Sequence, residues 1–379
     1  MKRFRLTQAL SALIVVLLHV TGATGQDAQS PAEPKRYHIG YRILKAPREG
    51  QAPLVVALWY PTNAGPGKMR YHLIGAKMES DATPDAPPAK GPFPLVIYSH
   101  GGGGCAIMGA THAEALAESG FVVAGPDHND DFIVERSDHP LPPDPNRARD
   151  WLAWAQGISG GGQKGKSGGR YAHRPAEVRA AIDYLLAENN DAKSALHGLI
   201  DPQKIGAMGV SFGAWTTQAA SGFLPMFPTF RDERIKAAVP IAGPTPKLQI
   251  GSFANVKIPV MIIFGGAETI ILGDSRSGSK TEGMIRNYES ASPPKFLIEI
   301  KGAHHLDFGG AGVSRREQSA GGGPVSTVDV RNNDRVIATV NRYCVAFFRR
   351  YLLGDQSAEK ILTTQEPNVV LLKYETGPR

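Results

Sequence analysis

Short, nearly unbroken apolar runs recur along the chain, and stretches with helical spacing lie between them. The runs are Leu54 to Tyr60, Leu95-Val96-Ile97-Tyr98, Val122-Val123-Ala124, Ile205 to Met208, Ala237-Ala238-Val239, Val260 to Phe264 and Phe296 to Ile300. A run of this kind, with no polar residue at alternate positions, is what a strand buried on both faces of a parallel sheet shows. The first run is rich in β-branched and aromatic residues and is expected to stop at Pro61, and residues 62–92, rich in Gly, Pro and Ala, read as a loop. Helices are expected at 112–119, ended by Gly120, at 175–187, with Pro175 in the first turn, and at about 334–352, ended by Gly354. In the second of these, Val178, Ala181, Ile182, Leu185 and Leu186 share one face. Strand and helix in alternation predict an α/β fold, a mainly parallel sheet with helices on both faces. With no internal repeat and no clean boundary, the 379 residues read as one domain over 37–379, preceded by special segments.

Those segments change the meaning of the charge. Lys2, Arg3 and Arg5, an apolar stretch from Ala9 to Val20, and Ala23 and Gly25 at the −3 and −1 places form a signal-peptide pattern over 1–25, with cleavage before Gln26. The apolar stretch is shorter than the roughly 18 residues that span a bilayer. We therefore expect a secreted or periplasmic protein with a flexible lead-in at 26–36 and no stable membrane insertion. No cysteine lies near the cleavage point for lipid attachment. Cleavage removes three of the 42 basic residues and none of the 35 acidic ones, so the net charge falls from +7 to +4. With no basic block left, nucleic acid is not an expected partner. Cys105 and Cys344, far apart in sequence, make no disulfide framework and are expected to be free and mostly buried.

The pattern Gly-x-Ser-x-Gly occurs at 157–161, 165–169 and 209–213. Its chemistry needs a sharp turn from strand to helix, which exposes the serine oxygen at the sheet edge. The third copy has that setting, because it follows Ile205 to Met208 and leads into the helix-forming stretch Phe212 to Ala220. Ser211 is thus the expected nucleophile. The other two copies lie in a glycine-rich loop near 157–169, which also contains Gly160 to Ser167, a literal match to a nucleotide phosphate loop. That motif needs a strand before it and a helix after it, and Gly168-Gly169 oppose the helix. Lys164 and Lys166 read as solvated charges, and no cofactor is expected.

A serine nucleophile needs a base, an orienting acid and oxyanion donors. In this fold type they follow in the order Ser, acid, His. The base candidates are His304 and His305, after the last apolar run, and Glu268, after Gly265-Gly266-Ala267, is the expected acid, with Asp274 as its rival. Asp307 is too close in sequence to the base. The expected oxyanion amides are Phe212 and Gly102, the latter in His100-Gly101-Gly102-Gly103-Gly104 with Gly101 and Gly103 as near alternatives. Asp127, His128, Asp130, Asp131 and His139 match the spacing of no closed metal site, so no metal is expected. Trp151, Trp154 and Tyr171 line an acyl pocket or are ordinary packing.

The segments Pro94 to Gly101, Gly120 to His128, Arg174 to Val178, Ile205 to Gly213 and Gly302 to Phe308, taken in order, resemble the α/β-hydrolase superfamily. They are most similar to its platelet-activating-factor acetylhydrolase-like and dienelactone-hydrolase-related branch, which also resembles bacterial cutinase-like polyester hydrolases. The likeness covers about residues 38–355. It implies Ser211 as nucleophile, His305 as base because Gly-Ala-x-His matches Gly302 to His305, and Gly102 and Phe212 as oxyanion amides. It implies a serine esterase acting on small-molecule or polymeric esters. Two departures stand out. The acetylhydrolases proper carry their acid where Gly243-Pro244-Thr245 offers no carboxylate, which moves the acid to Glu268 and weakens phospholipid specificity; dienelactone hydrolases proper use a cysteine nucleophile. The competing readings are a non-catalytic binding protein on a hydrolase scaffold and a phosphate-loop nucleotide binder.

Overall fold

The computed structural model describes residues 36–73, 76–142, 171–243, 252–267, 277–309 and 330–377, with most positions from 144 to 154. The chain divides into two units, Met1–Pro34 and Lys35–Arg379, and every described residue belongs to the second. The signal-peptide segment, most of the lead-in, the glycine-rich loop at 157–169, Glu268 and Asp274 lie outside the described residues. No helix among the described residues is long and apolar enough to cross a membrane.

The strands are β1 (His38–Arg48), β2 (Gln51–Thr62), β3 (Met69–Leu73), β4 (Ala76–Ser80), β5 (Thr83–Pro84), β6 (Phe93–Ser99), β7 (Val122–Pro126), β8 (Ile200–Val210), β9 (Ile235–Ile241), β10 (Val260–Gly265), β11 (Lys295–Ile300) and β12 (Val369–Glu375). Ten of them form one sheet in the order β12-β11-β10-β9-β8-β6-β7-β2-β1-β5, and β3 and β4 form a separate hairpin. The run β7-β6-β8-β9-β10-β11 is parallel throughout. Its ends are antiparallel, with β2 on β7 and β12 on β11. This is the mainly parallel sheet expected from the apolar runs.

Both faces are covered. Along β6, Phe93, Leu95 and Ile97 face one core and pack with Val178, Ala181, Ile182 and Leu185 of the helix His173–Asn190. Val96 and Tyr98 point the other way, into a core shared with the helices Ala110–Glu118 and Val330–Phe348. In chain order we label the longer helices α1 (Ala110–Glu118), α2 (His173–Asn190), α3 (Phe212–Ala220), α4 (Ser277–Ser290) and α5 (Val330–Phe348). After α5 a wider, π-helical turn runs over Arg349–Leu353 and ends at Gly354 with φ of 75°, a left-handed stop that glycine adopts without a Cβ penalty. Cys105 and Cys344 are free and buried, one in each of two helix-side packings of the same core.

Two expectations are corrected. Residues 62–92 are not all loop, since they hold β3, β4 and β5. Pro61 does not end its strand: β7 pairs with β2 at Val56 to Trp59, whereas β1 pairs as far as Thr62. Beyond the end of the β7 pairing, β2 meets on that side only an isolated bridge between Thr62 and Pro88, with Ala89 N donating to Pro61 O at 2.8 Å, so the missing N–H of Pro61 interrupts no continuous ladder.

Candidate active site

The C-terminal ends of the parallel strands converge on one edge of the sheet, where ligands bind in open α/β folds. β8 delivers Ser211, β6 the glycine loop at 101–104, β7 the segment from Asp127 to Asp131, and β11 the turn that carries His305.

Ser211 has φ of 60° and ψ of −120°, a strained conformation for a residue with a side chain. Its amide donates to Ile241 O at 2.9 Å, and α3 starts at the next residue. The flanking glycines are required by close approach of backbone. A Cβ on Gly209 would lie 2.4 Å from Gly213 O and 2.7 Å from Ser99 O, and one on Gly213 would lie 1.8 Å from Ser99 O. Ala214 and Trp215 donate to Ser211 O, so the amides of Phe212 and Gly213 come before the first bonded turn of α3. A helix start of this kind favours negative charge.

His305 is brought to Ser211. Nε2 of His305 lies 2.8 Å from Ser211 Oγ, and a ring with its proton on Nδ1 alone accepts from the hydroxyl there. His304 is exposed at the start of the same turn. Its amide donates to Asp307 Oδ2 at 2.8 Å, so Asp307 closes the turn. A further tie comes from α1: His112 Nε2–H donates to Phe308 O at 2.8 Å. The loop after β10 is fastened to the same place, with Gly266 N donating to Ile300 O at 2.9 Å and Ala267 N to Ala303 O at 3.1 Å. Ala267 immediately precedes Glu268, and Ala303 is two residues before His305.

The glycine loop lies against the serine. A Cβ on Gly101 would sit 3.6 Å from Ser211 Cβ, and one on Gly102 would meet the Phe212 ring at 2.7 Å and Trp154 at 3.3 Å. Gly103 N donates to Asp130 Oδ2 at 3.2 Å and Gly104 N to Gly101 O at 3.2 Å. The amides of Gly103 and Gly104 are thus already engaged. Trp151 Nε1–H donates to Gly102 O at 3.1 Å, while buried Tyr171 stacks on Phe212 with ring centroids 4.4 Å apart. Trp151 and Tyr171 thus shape the walls of the site through packing and one hydrogen bond, and Trp154 stacks on Phe132 at 5.4 Å.

Beneath the loop is a buried polar network. Arg174, fully enclosed, donates through Nη1 to His100 O at 2.8 Å, through Nη2 to Gly101 O at 3.2 Å, and through Nε to Asp130 Oδ1 at 2.9 Å; Nη2 also meets Asp130 Oδ2. Burial alone would raise the Asp130 carboxyl, but the Arg174 charge and the hydrogen bonds from His173 and Arg174 hold it well below its ordinary value. His100 is held well below its ordinary value by burial and then by the Arg174 charge. It is therefore neutral, with Nδ1–H donating to Gly101 O at 2.7 Å and Nε2 accepting His128 N–H at 2.9 Å. Burial and Arg174 likewise lower His128, whose Nδ1 faces Glu177 Oε2 at 2.9 Å. The segment weighed as a metal ligand set is instead committed to these partners: Asp127 accepts from Ala106 N, Ser137 N and Ser137 Oγ. The roles of Arg174, Glu177 and His112 were not foreseen, because each partner is distant in sequence. Arg174 in a predicted helix start was the available signal.

Family profiles match two stretches. One described as PET hydrolase-like matches residues 170–319, and one described as platelet-activating factor acetylhydrolase, isoform II, matches residues 67–146. The chain is 23% identical over 283 residues to a platelet-activating factor acetylhydrolase of Cavia porcellus, covering 71% of this chain and 59% of the relative. It is 29% identical over 135 residues to Cutinase 2 of Thermobifida cellulosilytica, covering 35% of this chain and 44% of the relative, and similarly to a cutinase of Thermobifida fusca. The matches thus span between 36% and 59% of the length of the curated relatives named here. With its parallel sheet, its serine turn and these matches, the chain has the α/β-hydrolase fold and is similar to the platelet-activating factor acetylhydrolases and the cutinases.

Proposed function

We propose that this protein is an exported serine hydrolase that cleaves carboxylic esters through an acyl-enzyme intermediate. The observation that carries the reading is Ser211 Oγ, held in a left-handed turn 2.8 Å from His305 Nε2 at the start of α3. His305 takes the Ser211 proton as the oxygen attacks the ester carbonyl, and Phe212 and Gly102 amides receive the oxyanion. The protonated His305 then gives its proton to the leaving alcohol, and water, activated by the same ring, hydrolyses the acyl-enzyme. Glu268 orients the ring and stabilises its charge, a role supported by the hydrogen bond between Ala267 and Ala303. The names of the relatives support small or polymeric esters as substrates, and the basic, apolar and small-residue pattern over 1–25 supports export and signal cleavage. The test is turnover of p-nitrophenyl esters of graded acyl length together with labelling by a fluorophosphonate probe. Wild-type protein should do both and Ser211→Ala neither. Labelling that persists in Ser211→Ala, or its absence from folded wild type, defeats the reading and favours a binding protein on a hydrolase scaffold.

A further inference from the structure

Four successive peptide units of the glycine loop are held by one buried ion pair and its neighbours. In a planar trans peptide the carbonyl and the following N–H point in opposite directions. Arg174 takes the carbonyls of His100 and Gly101, at 2.8 Å and 3.2 Å. The N–H groups of Gly101 and Gly102 are thereby turned away from the guanidinium. Asp130, paired with that guanidinium, takes the Gly103 amide at 3.2 Å, and Trp151 takes the Gly102 carbonyl at 3.1 Å. Gly101 O is shared further with His100 Nδ1–H and Gly104 N–H. Neither Gly101 nor Gly102 has a side chain to fix its dihedrals, so without these bonds the loop has many conformations open to it. The pair is charged at both ends and enclosed, an arrangement that costs desolvation and that a turn between strand and helix does not itself need.

We propose that Arg174, through its ion pair with Asp130, is a positioning residue that aims the Gly102 amide into the oxyanion hole. The proposal rests on the serine-hydrolase reading of Ser211 and His305. Arg174 touches no reacting atom. It acts through the peptide unit between Gly101 and Gly102, fixing one end so that the other is ready where negative charge develops. Its guanidinium also polarises that carbonyl, which makes the N–H on the same peptide a better donor. Lysine cannot substitute, because the work requires a planar fork that reaches two carbonyls and a carboxylate together.

The test uses the full chain with Arg174→Lys and with the double variant Arg174→Met/Asp130→Leu, which removes both charges and avoids stranding one of them. Leu362→Ala, a buried truncation outside the site, controls for lost stability. On a p-nitrophenyl ester, kcat should fall about 10²- to 10³-fold in both site variants, the loss seen when an oxyanion donor is removed. KM should stay within about threefold, since the interaction belongs to the transition state. Affinity for a trifluoromethyl ketone, which forms a tetrahedral adduct on the serine, should fall in parallel with kcat/KM, and amide exchange of residues 100–104 should quicken. Folded variants with wild-type kcat, a change in KM alone, or a kcat loss that merely tracks the folded fraction would each overturn the proposal. A wild-type protein without esterase turnover or fluorophosphonate labelling would instead refute the underlying reading, and loop exchange would still report whether the clamp holds the backbone.

Discussion

Replacing Gly213 by alanine should damage stability and catalysis through the same displacement. The added Cβ would lie 1.8 Å from Ser99 O, 2.5 Å from Ser99 C and 2.8 Å from His100 O, where ordinary contact begins at 3.4 Å. Relief requires the start of α3 and the end of β6 to part by roughly 1.5 Å at that contact, and neither partner is a side chain that can swing aside. Overpacking costs about 1–3 kcal/mol, and this overlap, set against a paired strand, belongs at the upper end. At about 2–4 °C per kcal/mol, or somewhat less in a chain of this size, the melting temperature should fall by about 5–10 °C. The displaced elements carry Ser211 and Phe212 on one side and the glycine loop on the other. Misplacement of about 1 Å can cost on the order of 10²-fold in rate, so kcat should fall at least that far in the protein that remains folded. Calorimetry and p-nitrophenyl ester kinetics below the melting transition measure the two effects. Gly302→Ala separates sterics from backbone preference: it also has positive φ, 63°, but open space around its Cβ position, so its cost should stay near about 1–2 kcal/mol. Melting within 1 °C and kcat within threefold of wild type for Gly213→Ala would refute the close-approach account.

The two histidines of the β11 turn should separate cleanly: His305→Ala loses on the order of 10⁶-fold in kcat, whereas exposed His304→Ala keeps it within about threefold, and the reverse result would move the base. Glu268→Gln should lower kcat by about 10³- to 10⁴-fold, and a larger loss in Asp274→Asn would reassign the acid. Because the folded values of His100 and His128 lie below the ordinary histidine value, the folded state binds fewer protons than the unfolded one. Their stabilising effect is complete above about pH 6.5 and is lost as pH falls, with a slope of at most about 1.4 kcal/mol per pH unit for each ring. Urea unfolding at pH 7.5 and 5.5 should show the decline, and His128→Gln should reduce it; an equal decline in that variant would place the titration elsewhere.

The parts of the fold that were legible are those whose residues announce their surroundings locally. β6, β8, β9, β10 and β11 are apolar on both faces because helices cover both, and Ser211 stands out because its strained turn demands glycine on either side. β1 and β12 were missed for the converse reason: in β12, Val369 is buried while Val370, Lys373 and Tyr374 are exposed, which leaves an edge strand without a continuous apolar run. β3 and β4 were hidden among Gly, Pro and Ala. The support of the glycine loop was hidden more deeply. Arg174 meets Asp130, His100 and Gly101 across separations of 44, 74 and 73 residues, and nothing in its immediate sequence distinguishes an enclosed arginine from a solvated one. Local sequence reads the serine turn well because that turn is made by adjacent residues; the charge network is made by the topology.

That topology also has a temporal side. The strand carrying Ser211 pairs with β6, more than a hundred residues earlier in the chain. Ser211 meets His305 across 94 residues, and His112 reaches Phe308 across 196. Contacts of such separation form only after the entropy of closing long loops has been overcome, so parallel sheets assemble slowly. The helices can form while these distant segments are still unjoined, and a refolding chain will show helical dichroism before it hydrolyses anything. Under the proposed function, ester hydrolysis would report the last long-range assembly of the sheet, and a half-made sheet exposes the chain to aggregation before that point.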